Sequence, residues 1–81
     1  MTVHVLVFGA MASATGAGTV AVDVGEEASV RDVLVAISQQ HPSLRFALSA
    51  ARLAVNSAFA PDAAKVTSKD ELALIALVSG G

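Results

Sequence analysis

Few side chains in this sequence of 81 residues are equipped for covalent chemistry, and the exclusions narrow the choice quickly. There is no Cys, which removes disulfides, thiolate metal sites and a cysteine nucleophile together, and suits a reducing compartment. The two histidines, His4 and His41, stand apart. No second His, Asp or Glu lies near His4 at metal-ligand spacing, so it reads as a structural or surface residue. His41 reads as the residue that ends a helix before Pro42. No nucleophile–base pair and no metal cluster can be drawn, and the expected metal set is none. The glycine-rich stretch over residues 9–18 lacks the spacing of a phosphate loop, is not followed by a Lys-Ser/Thr pair, and leads into a strand rather than a helix. What remains is backbone chemistry in the stretch Leu77-Val78-Ser79-Gly80-Gly81.

That stretch continues an unbroken apolar run, Leu72-Ala73-Leu74-Ile75-Ala76-Leu77-Val78, which reads as a strand buried on both faces. Gly80 and Gly81 pack nothing and lose much entropy if ordered. A strand that passes into a side-chain-free tail presents a terminal carboxylate to something else. At about 3.3 Å per extended residue, residues 78–81 reach roughly 13 Å from a sheet, enough to thread a narrow channel. Gly81 leaves its carbonyl open to attack, and Gly80 fits a close channel. Any catalytic group that acts on this carboxylate has to come from a partner.

Composition sets the frame for that tail. The length predicts a single domain over residues 1–81 with one modest core. Apolar residues make up 54%, many of them Ala, so the core must rest on Val, Leu, Ile and three Phe. The net charge is −2 with five basic residues, which offers no electrostatic footprint for nucleic acid and no polybasic membrane patch. No apolar run has the length of a transmembrane helix. Residues 10–14, Ala-Met-Ala-Ser-Ala, resemble a signal-peptide cleavage site, but no Lys or Arg precedes Arg31 and cleavage would remove a core strand, so no signal peptide is expected.

The elements that position the tail follow in order. Thr2-Val3-His4-Val5-Leu6-Val7-Phe8 is apolar at nearly every position and reads as a strand covered on both faces. Residues 9–18 read as a loop with at most one helical turn. Thr19-Val20-Ala21-Val22-Asp23-Val24 alternates, so it is a half-buried hairpin partner of the first strand. Ser29-Val30-Arg31-Asp32 is an N-cap pattern, and Val30, Val33, Leu34 and Ile37 form one apolar stripe on a helix that stops near His41. Residues 43–51 allow a second short helical turn with Leu44, Ala47 and Leu48 inward, and with Arg45 and Arg52 solvated. Leu53-Ala54-Val55-Asn56 is a short strand, Asn56-Ser57 a turn, and Ala58-Phe59 the return. Val66 anchors a long loop, and Ser68-Lys69-Asp70 turns the chain into the final strand.

The result is α+β, a mixed sheet with one main helix across one face. The two most apolar strands, the first and the last, should pair in parallel at the sheet centre. One helix covers only one face. The other face therefore calls for a second cover, and a partner protein is the expected one.

The chain resembles the small subunit of molybdopterin synthase, a sulfur carrier of the ubiquitin-like β-grasp superfamily. The resemblance spans essentially the whole length. It rests on Val5-Leu6-Val7-Phe8-Gly9, on Ser29-Val30-Arg31-Asp32-Val33-Leu34, on Leu53-Ala54-Val55-Asn56, and on Asp70-Glu71-Leu72-Ala73-Leu74-Ile75 before Val78-Ser79-Gly80-Gly81. The chain departs from that pattern at Ala76 and Leu77, where two prolines are common, at Met11-Ala12-Ser13, where Leu-Arg-Glu is common, and at Ser68-Lys69, where the turn is commonly Asp-Gly.

The resemblance implies a chemistry and a set of partners. A ubiquitin-activating-like adenylyltransferase uses ATP to make an acyl-adenylate of Gly81. Sulfur from a persulfide donor replaces AMP and leaves a thiocarboxylate. The tail, Ser79 and Gly80 included, then threads the large subunit of the synthase and supplies sulfur to the pterin precursor. It also implies that Phe8, Ile75, Leu77 and Val78 dock on partners, that no cofactor is bound by the chain itself, that neither nucleic acid nor membrane is a partner, that the chain has no catalytic activity alone, and that it is cytoplasmic. Asp70 and Glu71 stand where they meet basic partner residues or remain solvated turn residues. Carriers for thiamine or cysteine synthesis share the fold and the tail. A ubiquitin-like modifier joined to lysines and a plain β-grasp interaction module remain as alternatives of other classes.

Overall fold

The computed structural model describes residues 1–76. The expected site residues Leu77, Val78, Ser79, Gly80 and Gly81 lie outside the described residues. Strands β1 (Thr2–Leu6) and β2 (Thr19–Asp23) form an antiparallel hairpin around helix α1 (Gly9–Thr15). Helix α2 (Val30–Gln40) follows, then a 3₁₀ turn (Pro42–Leu44) and the short helix α3 (Arg45–Leu48). Strands β3 (Ala51–Val55), β4 (Ala58–Phe59) and β5 (Leu72–Ala76) complete a sheet in the order β2-β1-β5-β3-β4. Strand β5 runs parallel to β1 and antiparallel to β3, the central position expected of the first and last strands.

Helix α2 begins where the sequence places it, because all of its leading N–H groups have partners. Ser29 and Asp32 form a reciprocal capping box: the Asp32 N–H donates to Ser29 Oγ at 3.2 Å and the Ser29 N–H to Asp32 Oδ2 at 2.9 Å. The next two are taken by the long loop, with the Val30 N–H donating to the Ala64 carbonyl at 2.8 Å and the Arg31 N–H to the Asp62 carbonyl at 3.0 Å. Accepting from the Ser29 backbone N–H is the main reason the Asp32 carboxyl lies below its ordinary value. The helix N-terminus is therefore closed, with no donor left for an anion.

The core lies between α2 and one face of the sheet. Val3, Val5, Val20, Val22, Leu53, Leu72 and Leu74 bury against Val30, Val33 and Ile37, with Leu44 and Val66 closing the ends. Leu34, on the expected stripe, is only partly buried; Ala36 takes its place facing inward. A helix turns 100° per residue, and the sheet lies on the 30-33-36-37 side of α2.

Three expectations are corrected. Residues 9–15 are helical rather than a loop. Met11 buries its side chain, the Phe8 carbonyl accepts from the Met11 and Ala12 N–H groups at 3.1 and 3.3 Å, and Gly16 ends the helix in the left-handed region (φ 71°). Strand β1 stops at Leu6 and is not covered on both faces: Val3 and Val5 are buried, while Thr2 and His4 are exposed. Likewise β5 buries Leu72 and Leu74 fully but leaves Ala73, Ile75 and Ala76 partly exposed. No helix among the described residues is long and apolar enough to cross a membrane.

Candidate docking site on the open sheet face

The face of the sheet away from α2 collects the second set of side chains from four strands. Strand register places them in rows. Leu6 stands opposite Ala73, Ala73 opposite Ala54, and Ala54 opposite Phe59, which carries one line of side chains from β1 to β4. Ile75 pairs with Arg52 one row along. Phe8, two residues beyond Leu6, continues the same side. Together with Ser57 and Glu71 at the rim, Leu6, Phe8, Ala54, Phe59, Ala73 and Ile75 line a groove of about 410 Å³.

Phe8 is 51% exposed and Phe59 48%, so the groove presents two aromatic rings to solvent. Arg52 is exposed, as expected, but not idle: its guanidinium carbon lies 4.6 Å from the centroid of the Phe59 ring. The guanidinium sets a positive charge against one of the aromatic rings that line the groove.

The far end of the groove is fixed by a polar knot. The turn between β3 and β4 holds Asn56 and Ser57 at positive φ, 51° and 70°. Asn56 Nδ2 donates to Asp70 Oδ1 at 3.0 Å, Asn56 Oδ1 accepts from the Glu71 N–H at 2.9 Å, and the Asn56 N–H donates to the Glu71 carbonyl at 2.8 Å. Asp70 Oδ2 accepts from the Thr67 N–H at 2.7 Å. That backbone donor, followed by Asn56, holds the Asp70 carboxyl below its ordinary value. Asp70 is thus engaged within the chain, whereas Glu71 is exposed at the rim. The knot pins the start of β5, and with it which β5 residues face the groove.

Of the expected partner-docking residues among those described, Phe8 and Ile75 come together in this groove. Phe59 is the residue that sequence reasoning missed. Its signal was present: a two-residue return strand after Asn56-Ser57 puts Phe59 opposite Ala54, on the face away from buried Leu53. Among the described residues no group of three or more His, Cys, Asp or Glu is placed to hold a metal ion, and no buried polar side chain is found. The chemistry the described site offers is recognition through apolar surface.

Known proteins bear on what is recognised. The family model described as the ThiS family matches residues 5–81. No curated protein sequence matches. Among solved structures, SAMP1 from Haloferax volcanii is 30% identical with a TM-score of 0.83, and the alignment covers 100% of both chains. A chain in the complex of subunits 1 and 2 of molybdopterin-converting factor from Helicobacter pylori 26695 is 22% identical with a TM-score of 0.68, again over 100% of both. One in the BexX/CysO complex of Amycolatopsis orientalis is 20% identical with a TM-score of 0.70, covering 98% of this chain and 99% of that one. At the last two identities the likeness is one of fold. The mixed sheet clasping α2 is the ubiquitin-like β-grasp, the fold of small sulfur carriers and ubiquitin-like modifiers, and the chain belongs to the ThiS family.

Proposed function

We propose that this chain is a sulfur carrier that serves molybdenum cofactor biosynthesis as the small subunit of a molybdopterin synthase. The observation that supports a carrier role is the ThiS family match over residues 5–81, a span that includes Gly80 and Gly81. An adenylyltransferase of the ubiquitin-activating type joins the Gly81 carboxylate to the AMP part of ATP and releases pyrophosphate. The terminal sulfur of a persulfide donor displaces AMP. A thiol then cleaves the acyl disulfide, leaving a thiocarboxylate on Gly81 and a disulfide on the donor. The large subunit receives residues 77–81 and routes the sulfur to the pterin precursor. The groove with Phe8, Phe59 and Ile75 gives both partners an apolar hold, and the catalytic groups are theirs. Each of these steps belongs to the cytoplasm.

The test is the intact mass of the protein after incubation with ATP, a sulfide source and an activating enzyme from the same cell. The expected result is a gain equal to replacing one oxygen by sulfur, lost when Gly81 is deleted. Adding purified large subunit and pterin precursor then consumes the thiocarboxylate. A thiocarboxylate that forms but is not consumed assigns the carrier to thiamine, cysteine or another sulfur pathway. Absence of the mass gain with a folded chain and every candidate activating enzyme overturns the carrier reading.

A second reading, a modifier joined to lysines through the same carboxylate, is favoured by the 30% identity to SAMP1 over the full chain. Isopeptide-linked conjugates in lysate, lost on deletion of Gly81, decide for it.

A further inference from the structure

The sheet has a second surface that could associate, the outer edge of β2, and it is occupied by side chains. Alternate residues of β2 direct their backbone groups away from β1. Val24 donates its N–H to the Met1 carbonyl and Gly18 accepts from Val7, so the even-numbered positions face β1 and the odd-numbered Thr19, Ala21 and Asp23 face outward. Those outward groups would be free donors and acceptors on an ordinary edge. Here the last residues of α2 meet them. Gln40 Oε1 accepts from the Asp23 N–H at 2.8 Å, and Gln40 Nε2 donates to the Asp23 carbonyl at 2.8 Å. His41 Nε2 lies 2.7 Å from the Ala21 carbonyl, which can only accept, so this nitrogen carries the proton. One amide satisfying both backbone groups of one residue reproduces what a neighbouring strand would do.

The strand behind this cover is suited to its own copy. In an antiparallel pair centred on Ala21, Thr19 stands opposite Asp23 of the other copy and Val20 opposite Val22, with no like charges opposed. The Thr–Asp pairing already occurs in the molecule, where Thr2 Oγ1 donates to Asp23 Oδ1 at 2.7 Å across β1 and β2. All three outward residues would then meet hydrogen-bonding partners, and the groups that Gln40 and His41 engage are among those the pairing needs.

We propose that Gln40 and His41 act as a side-chain substitute for a further strand, closing the β2 edge against addition of a second copy of this chain. The pair leaves the open face as the surface for heterologous partners while blocking sheet extension between copies.

The test compares the full-length protein with the Gln40→Ala/His41→Ala variant by sedimentation equilibrium and amide hydrogen exchange. The wild type is expected to form no dimer through β2 and to protect the Asp23 amide. The double variant is expected to keep its far-UV spectrum, to exchange the Asp23 amide about tenfold faster as monomer at low concentration, the loss of roughly one hydrogen bond, and to dimerise as concentration rises. Adding Thr19→Asp, which opposes a second carboxylate to Asp23 of the other copy, should dissolve that dimer, whereas adding Phe59→Ala at the opposite edge of the sheet should leave it intact; a dimer through the groove would be lost with Phe59→Ala. Should the double variant not fold, Gln40→Ala alone, which frees both backbone groups of Asp23, carries the same comparison. A folded variant that stays monomeric, a dimer unmoved by Thr19→Asp, or a wild type already paired through β2 each overturns the proposal.

Discussion

The two faces of the sheet are built from the same strands and similar residues, yet they do opposite things. On the α2 side, Leu72 and Leu74 of β5 and Val3 and Val5 of β1 are buried to 1% exposure or less. On the other side, Leu6, Ala73 and Ile75 of those strands are half-covered, and Phe8 and Phe59 stand out in water. The covered face is complete within one chain. The open face carries apolar surface that folding alone does not bury. Apolar residues on the first face hold the fold; on the second they remain in contact with water.

The sharpest way to test that division is to truncate neighbours on β5 that point to opposite sides. Leu74→Ala should lose about 2–5 kcal/mol in urea unfolding, from lost transfer energy and the cavity left behind. Ile75→Ala should lose about 1 kcal/mol or less and still abolish most thiocarboxylate formation when scored by intact mass. A large stability loss at Ile75 with normal activation would erase the distinction. A smaller effect probes what holds α2 over the covered face. Ser29→Ala removes the hydroxyl half of the capping box and should lower stability by about 1 kcal/mol without altering partner binding, as read by unfolding and by pull-down with the activating enzyme.

The smallest effect tests the groove's frame by pH. The hydrogen-bonded Asp70 carboxylate has a folded pKa below the ordinary 3.8, so its contribution is fully present above that value and lost as pH falls through the lower folded value. Melting temperature followed from about pH 6 down to pH 2 should therefore fall less steeply for Asp70→Asn than for the wild type.

Much of the fold was legible in the residues. The Val20-Val22-Val24 alternation, the Ser29-to-Asp32 cap, the Asn56-Ser57 turn and the parallel meeting of first and last strands all appear in the structure. Helix α1 was not, because residues 9–15 carry one large apolar side chain, Met11, and a single anchor has no period. The continuous apolar runs of β1 and β5 gave no way to tell a face covered by the chain from one left in contact with water. Phe8 and Ile75, named from the sequence, line the open-face groove, while Phe59 needed the register of β3 against β4 to place it there. The Gln40–Asp23 contact joins residues distant in sequence through a side chain, and no local pattern announces it.

The parallel pairing of β1 with β5 has a kinetic side. Val5 meets Leu72 and Leu6 meets Ala73, so the centre of the sheet joins residues near opposite ends of the chain. Closing so long a loop costs entropy before its contacts repay it, whereas the β1–β2 hairpin and α2 form from nearby residues. Until β5 docks, β1 and β3 each have a bare edge in the middle of the future sheet, and the Val-rich strands around them face water. The interval before that last strand arrives, rather than the finished molecule, is when this protein is most exposed to the wrong partner.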